Sequence, residues 1–340
     1  MRIALIAPPW APIPPALYGG IELIVDRLAR GFVAAGHDVL LFATGDSTCP
    51  VPTKFVLEHA EGTRIGADVP EIIHVLAAYD AVQEFGADIV HDHTMFGPLW
   101  GAHVPGLRVA TTIHGPLDGE LADVYRRMAP HSRLIAISHA QRRAAPDIPI
   151  ARVIHHGIDV EDFPMGTGGG EYCLFLGRLD PGKGARRAIT VARKAGMPLL
   201  MAGKMRNAQE REYFESEVAP LCGDDVQYLG EVSHEEKVQL LADARAVLFP
   251  IRWPEPFGLV MLEAMACGTP VLAFPEGAAP EVIHDGETGF LCHDEADMAA
   301  ELARVDTISR EACRTAVAGY FSTARMVRDH LELFNDMLAQ

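Results

Sequence analysis

The sequence predicts an α/β protein made of two doubly wound domains, each with a parallel β-sheet between layers of helices. Short β-branched apolar runs alternate with longer segments of helical periodicity, and this rhythm starts again near the middle of the 340-residue chain. The short runs are apolar nearly throughout, which is typical of strands covered on both faces. Strands that alternate with helices favour a parallel sheet with crossover connections.

The first half supplies one set of elements. MRIALIAPPW is short and interrupted by Pro8 and Pro9, so we interpret it as a buried strand and not as a secretion signal. An amphipathic helix, IELIVDRLARGFVAAG, follows it. The predicted strands of this half are RIALIAP, HDVLLFAT, ADIVHDH, RVATTIHG and RLIAISH.

The second half repeats the pattern after a glycine-rich stretch. Its predicted strands are YCLFLGRL, PLLMAGK, VQYLG, RAVLFP and TPVLAF. The chain is longer than the roughly 100 to 200 residues of one ordinary domain. We therefore predict an N-terminal domain over 1–160, a C-terminal domain over 161–320, a linker at 166–170, and an amphipathic helix at about 321–340.

Composition excludes several classes of partner. The formal net charge of −17 disfavours nucleic acid or an anionic membrane, because both attract basic proteins. No run approaches the ~18 consecutive apolar residues of a transmembrane helix, so we expect a protein without such a segment. The six cysteines form no CxxC pair, which disfavours disulfides and zinc and favours a cytoplasmic location.

Candidate phosphate-binding residues follow predicted strands, where doubly wound sheets bind their ligands. Gly19 and Gly20 precede a helix, so their backbone N–H groups suit an anion, although a flexible loop would show the same residues. Gly177 and Arg178 end a later strand, and Lys183 follows. Two cations there suit a diphosphate, the alternative being a solvated basic loop. No P-loop motif accompanies them, which disfavours a kinase or ATPase.

Two carboxylates, Glu255 and Glu263, stand around the start of a predicted helix with seven residues between them. Gly258 lies between them, where free N–H groups begin the helix. A carboxylate accepts paired hydrogen bonds from vicinal hydroxyls, so one acid for each sugar ring is our interpretation. A helix-terminal charge beside a solvated acid would explain either residue singly, but explains the pair less well.

The histidines of HDHT, His91 and His93, have a spacing that could suit a metal. No third ligand is evident in the sequence, and such residues more often bind substrate or lie in a polar cleft. We expect no metal and no other cofactor, and His93 is a candidate for acceptor contacts.

With these residues, the sequence resembles the retaining glycosyltransferases of the GT-B fold, specifically family 4. The E-x7-E motif of that family, within 255–273, is the most specific match. The family usually has Pro-Asn where this chain has His155 and His156. The matching segments are GGIE (19–22), TTIHG (111–115), AIS (136–138), VIHHGID (153–159), GRLDPGKG (177–184), EPFGLVMLEAMACGTPVLA (255–273) and PEVIHDGETGFL (280–291).

The resemblance implies two Rossmann-like domains facing across a cleft, with the terminal helix crossing back to the first. It implies transfer of a hexose from a nucleotide sugar to a hydroxyl of a small-molecule, glycan or lipid acceptor, without a metal. We favour a UDP-hexose, and GDP-mannose is the alternative. A nucleotide-sugar epimerase of the same fold and a non-catalytic nucleotide-sugar-binding protein also stay open, whereas a nicotinamide dehydrogenase would need a fingerprint that is missing.

The resemblance also implies residue roles. Arg178 and Lys183 would hold the diphosphate, and Gly20 would donate its backbone N–H to it from the opposite domain. Glu255 and His114 would contact the donor sugar. The remaining implied roles fall to Glu263 for the ribose hydroxyls, to the main chain of Phe257, Gly258 and Leu259 for the sugar, and to the main chain around Val232 for the base.

Overall fold

The computed structural model describes residues 1–17 and 19–340 and divides the chain into two compact units. The first unit contains Met1–Gly157 together with Thr323–Gln340, and the second contains Ile158–Ser322. Each unit has one parallel sheet. In the described residues, no helix combines the length and the apolar character that crossing a membrane requires.

The first unit has a seven-stranded sheet in the order β3-β2-β1-β4-β5-β6-β7. Its strands are β1 (Arg2–Ile6), β2 (Asp38–Phe42), β3 (Thr53–Lys54), β4 (Ile89–Asp92), β5 (Val109–Thr112), β6 (Arg133–Ala136) and β7 (Ile150–Val153). Strand order reverses direction between β1 and β4, so the loops that follow these two strands flank the switch point where such sheets bind ligands.

Helices connect these strands. They are α1 (Gly20–Ala34), α2 (Asp68–Phe85), α3 (Gly97–Gly101), α4 (Gly119–Met128) and α5 (His139–Ala144). The apolar stripe of α1 that the periodicity predicts is buried, including Ile24, Leu28 and Phe32. The α5 helix begins where the Ser138 side chain accepts a hydrogen bond from the backbone N–H of Gln141.

The second unit has a six-stranded sheet in the order β10-β9-β8-β11-β12-β13. Its strands are β8 (Cys173–Leu176), β9 (Leu199–Ala202), β10 (Val226–Tyr228), β11 (Ala246–Phe249), β12 (Val271–Ala273) and β13 (Gly289–Leu291). Its helices are α6 (Ala185–Ala195), α7 (Ala208–Tyr213), α8 (His234–Asp243), α9 (Leu259–Ala266), α10 (Ala279–Val282), α11 (Glu295–Leu302) and α12 (Arg310–Tyr320). The switch point of this sheet lies between β8 and β11.

The last helix, α13 (Thr323–Leu338), packs on α1 inside the first unit. The rings of Phe32 and Phe334 have centroids 5.6 Å apart. Arg325 donates hydrogen bonds to the carbonyl oxygens of His155 and His156 at 2.8 and 3.1 Å. These contacts make the C-terminal helix an integral part of the first unit.

The prediction that 166–170 form the linker between the two domains is wrong. The chain leaves the first unit between Gly157 and Ile158, and 166–170 lie inside the second unit. There the backbone N–H of Gly166 donates to the carbonyl oxygen of Cys267 at 2.9 Å. A Cβ atom at Gly166 would clash with the carbonyl oxygen of Ala242. The glycines therefore permit close packing of the backbone, and their abundance does not mark a flexible connection.

Candidate active site

The switch point of the second sheet brings together two loops that carry predicted site residues. Strands β8 and β11 are hydrogen-bonded neighbours. Gly177 and Arg178 directly follow β8, and Glu255 lies in the loop between β11 and α9. Residues 77 and 78 positions apart in sequence thus share one edge of the sheet, because parallel strands end at the same edge.

Lys183 and Glu255 form an ion pair between Nζ and Oε2. Their side chains are only 12% and 11% exposed. The Lys183 ammonium also lies 4.9 Å from the ring centroid of Trp253, within range of a cation–π contact. The cation predicted for the diphosphate and the acid predicted for the sugar are therefore in direct contact.

Glycine backbone conformations shape both loops. Gly184 precedes α6 with φ +89°, and Gly258 precedes α9 with φ +85°, a region that glycine adopts at the lowest cost. Gly277 packs against the Glu255 backbone so closely that a Cβ atom would clash with the Glu255 carbonyl oxygen. The same carbonyl oxygen accepts a hydrogen bond from the N–H of Ala278 at 3.0 Å. The position of Glu255 is thus fixed by its backbone as well as by Lys183.

Arg178 forms an ion pair with Glu210, which the sequence analysis did not identify. The Glu210 side chain is 3% exposed and also accepts a hydrogen bond from the backbone N–H of Arg206 at 2.6 Å. The side chain of Asn207 accepts from the Glu210 N–H at 2.9 Å and begins α7. Glu210 is one of several acids in NAQEREYFESE, and no spacing in that segment distinguishes it.

Glu263 pairs with Lys237, a second residue that the sequence analysis missed. Lys237 Nζ lies 2.6 Å from Glu263 Oε1, and the Glu263 side chain is 6% exposed. Lys237 lies in the first turns of α8, which begins with a capping box formed by Ser233 and Glu236. The three acids Glu210, Glu255 and Glu263 thus each have a cationic partner.

The other residues predicted for the donor also lie in the second unit. Phe257 is 2% exposed, whereas Gly258 and Leu259 are partly exposed at the start of α9. Val232 is partly buried just before α8. The N–H of Gly177 is occupied by the carbonyl oxygen of Ala202 at 3.1 Å. What these residues bind stays a prediction.

In the first unit, Gly19 and Gly20 begin α1 directly after the loop that follows β1. Glu22, in the first turn, is 7% exposed, and a Cβ atom at Gly19 would lie 2.9 Å from its Oε2. An acid in the first turn is favoured by the helix dipole. The anion-binding role of Gly20 stays a prediction, and the structure places the acidic Glu22 side chain beside this helix start.

His93 follows β4, His114 follows the neighbouring strand β5, and their side chains are in contact. His93 Nδ1 and His114 Nε2 lie 2.8 Å apart. His93 is 5% exposed, which leaves little of its surface for the predicted acceptor contact, whereas His114 is partly exposed. The two rings belong to a histidine cluster made of His91, His93, His114, His156 and His330, with centroid distances of 4.2 to 5.5 Å between successive rings.

The histidine cluster is uncharged at neutral pH. Burial lowers the pKa of His114 to about 3 and that of His330 to about 4. Burial, followed by the nearby histidines, lowers the pKa of His91, His93 and His156 well below the usual range. The cluster joins β4, β5 and α13 with the segment before Gly157, so only the tertiary structure reveals it.

Two family models match nearly the whole chain. Residues 18–162 match "Glycosyltransferase Family 4" and residues 163–314 match "Glycosyl transferases group 1". D-inositol 3-phosphate glycosyltransferase of Mycolicibacterium smegmatis is 31% identical, covering 84% of this chain and 78% of that protein. The chain belongs to glycosyltransferase family 4.

Further comparisons agree with this membership. Glycogen synthase of Mycobacterium tuberculosis is 27% identical to this family 4 glycosyltransferase, covering 90% of this chain and 86% of that protein. The crystal structure of HepE from Anabaena, in complex with UDP and glucose, superimposes with a TM-score of 0.78 at 19% identity. That alignment covers 99% of this chain and 100% of HepE, which establishes the GT-B fold.

Proposed function

We propose that this family 4 glycosyltransferase is a retaining hexosyltransferase that uses a nucleotide diphosphate sugar and a hydroxyl acceptor. The contact between Lys183 and Glu255 carries the proposal. In a sugar nucleotide the anomeric carbon is bonded to the diphosphate, so a cation that binds the phosphate and an acid that binds sugar hydroxyls must be neighbours. These two residues are neighbours in the second unit.

The proposed chemistry depends on the fixed cations. As the bond between the anomeric carbon and the diphosphate oxygen breaks, negative charge grows on the phosphate, and Arg178 and Lys183 stabilise it. Their carboxylate partners hold them in position before substrate arrives. The acceptor oxygen forms the new bond from the leaving-group side, and its proton passes to the departing phosphate, so the anomeric configuration is retained.

The nucleotide is held, in this proposal, by Glu263 at the ribose, with Lys237 fixing the carboxylate. We favour a UDP-hexose as donor, supported by the complex of HepE, a protein of the same fold, with UDP and glucose. His114 and Gly20 keep their predicted roles toward the sugar and the diphosphate as parts of the proposal. The main chain at Val232, Phe257, Gly258 and Leu259 is assigned to the base and the sugar.

Calorimetry with UDP, GDP, TDP and ADP tests the nucleotide and the cations together. We expect UDP to bind most tightly, and Arg178→Ala and Lys183→Ala each to weaken its affinity by about ten- to a hundredfold. Arg186→Ala is the matched control, because Arg186 is an exposed cation of α6 paired with Glu217 at the surface. Unchanged UDP affinity in both site variants would remove the cation clamp.

The reaction itself is tested with UDP-hexoses and a panel of hydroxyl acceptors, with NMR of the first-formed product. We expect a glycoside with the anomeric configuration of the donor. Inversion would refute the retaining mechanism. An epimerised sugar nucleotide formed without acceptor would identify an epimerase, and binding without any turnover would favour the non-catalytic alternative.

A further inference from the structure

The hydrogen bond between His93 and His114 has a direction that decides where His114 carries its proton. A neutral imidazole has one N–H donor and one lone-pair acceptor. His93 Nδ1 and His114 Nε2 lie 2.8 Å apart, so one of these nitrogens donates and the other accepts. The partners of the other ring nitrogens determine which.

Two buried histidines of the same unit show the arrangement directly. His74 Nε2 lies 2.9 Å from the carbonyl oxygen of Ala7, and His330 Nδ1 lies 2.8 Å from that of Met326. A carbonyl oxygen only accepts, so both nitrogens carry the proton. The second ring nitrogen of each is buried and has no hydrogen-bond partner among the described residues. The unpaired buried nitrogen is therefore the lone-pair nitrogen in both rings.

His93 has the same pattern. Its Nε2 is buried and, within the part of the chain that the structure describes, lacks a hydrogen-bond partner. A proton on Nε2 would leave an N–H group buried and unpaired, which is rarer in proteins than an under-used acceptor. A proton on Nδ1 pairs the N–H with His114 Nε2. His91 is compatible with the same pattern, because its Nε2 bonds to the Thr112 hydroxyl at 2.8 Å, which can accept, while its buried Nδ1 is unpaired by any described residue.

We propose that His93 is a positioning residue that fixes His114 as the Nδ1–H tautomer, so that His114 offers a hydrogen-bond donor to an oxygen of the donor sugar. The proposal rests on the proposed function, which assigns His114 to that sugar. The His114 ring is partly exposed and its Nε2 is occupied by His93, so Nδ1 is the nitrogen left for a ligand.

The surroundings keep this arrangement stable at neutral pH. Burial lowers the pKa of His114 to about 3, and burial, followed by the repulsion that protonation of the neighbouring cluster histidines would cause, lowers the pKa of His93 well below its usual range. Both rings are therefore neutral, and each holds a single proton. A fixed N–H matches a hydroxyl oxygen of a hexose, whereas a fixed lone pair would need a hydroxyl proton instead.

NMR of protein labelled with ¹⁵N at histidine tests the tautomer. Long-range proton–nitrogen correlations, assigned by comparison with His114→Asn, should show His114 protonated at Nδ1. His93→Phe, which has no donor, should shift His114 toward the Nε2–H form. His93→Asn should retain Nδ1–H, because its amide nitrogen takes the place of Nδ1. An Nε2–H form of His114 in the unaltered protein would overturn the proposal, even if a variant fails to fold.

Kinetics test the consequence. His93→Phe should lower kcat/KM for the sugar nucleotide about threefold to tenfold and leave the Kd of free UDP unchanged, since UDP has no sugar. His93→Asn should recover most of the loss. In a His114→Phe background, His93→Phe should cause no further loss, because residues that act through one contact are not additive. An undiminished further loss would refute the indirect role.

The two readouts separate this proposal from the proposed function. The tautomer is observed without substrate, so it does not depend on the donor or on turnover. A wrong donor assignment would appear as absent UDP binding with His114 still protonated at Nδ1. A wrong tautomer would appear in the spectrum of an active enzyme.

Discussion

At the scale of single residues, the two acids of the E-x7-E motif differ in what surrounds them. Glu255 contacts Lys183, a residue of the loop after β8, whereas Glu263 contacts Lys237 of α8. Both carboxylates are largely buried, so each depends on its lysine to offset the cost of desolvation. The two acids therefore belong to separate parts of the site.

Because Glu255 is assigned to the sugar and Glu263 to the ribose, Glu255→Ala and Glu263→Ala should differ in their effects on transfer activity and on UDP affinity. Glu255→Ala should lower transfer strongly and leave UDP affinity within about threefold, since UDP has no sugar to lose. Glu263→Ala should weaken the binding of UDP by about ten- to a hundredfold, as expected for the loss of a hydrogen bond to a charged group. Calorimetry beside transfer assays checks this, and equal loss of UDP affinity in both variants would contradict the assignment.

At the scale of elements, the backbone position of the loop between β11 and α9 is fixed by contacts with the segment that precedes α10. The backbone of Glu255 lies against Gly277, and the N–H of Ala278 donates to its carbonyl oxygen. The orientation of the loop that carries Glu255 thus depends on a glycine that lies outside the motif.

Gly277→Ala should lower transfer by displacing Glu255. The matched control is Gly286→Ala, because Gly277 and Gly286 both have positive φ, +55° and +77°, but a Cβ atom at Gly286 would meet nothing within 4 Å. Both variants should lose about 1 kcal/mol of folding stability from the left-handed conformation, and Gly277→Ala should lose more because its Cβ atom also clashes with the Glu255 backbone. Only Gly277→Ala should also lose activity, measured as kcat at saturating donor. Equal activity in the two folded variants would disprove the link.

At the scale of the whole molecule, the two sheets differ in their histidine content. The first unit buries His74 and the histidine cluster, whereas the strands of the second sheet contain no histidine. A buried histidine whose pKa is lowered by folding binds fewer protons in the folded state than in the unfolded state. Stability therefore falls as the pH drops below the unfolded pKa of about 6.5.

Acidification from pH 7 to 5 should accordingly destabilise the first unit more than the second. Each such histidine costs up to about 1.4 kcal/mol per pH unit in this window. Asp92 opposes the trend, because burial raises its pKa to about 7 and its contribution grows as the pH falls. Hydrogen exchange, corrected for intrinsic rates, should show greater loss of protection in β4 and β5 than in β8 and β11. Equal loss in both sheets would refute the prediction.

Transfer should not require a metal, since the proposed function assigns the positive charge beside the diphosphate to Arg178 and Lys183. Activity should therefore survive EDTA treatment, with the same kcat within about twofold, a rate change worth less than ~0.5 kcal/mol of barrier. Loss of activity that manganese or magnesium alone restores would show that fixed cations are insufficient.

The amino-acid sequence determined the two-sheet α/β architecture, because buried central strands such as β8 and β11 are continuously apolar and alternate with helical segments. It missed β3, β7 and β13, which are short strands at sheet edges. Strands β3 and β7 are also partly exposed, so they have no continuous apolar run to mark them. The sequence could also name Arg178, Lys183, Glu255 and Glu263 as site candidates, since each pair lies within a single loop–helix segment, and their roles stay predictions.

Only the tertiary structure decided which partners those residues have. Glu210 and Lys237 are ordinary charged residues of helical segments until folding places them against Arg178 and Glu263. The bond from His93 to His114, with His330 close by on the last helix, exists because adjacent parallel strands and α13 meet at one place. Ion pairs and tautomers are set by distances between groups that are far apart in the chain, and local sequence patterns carry no information about such distances.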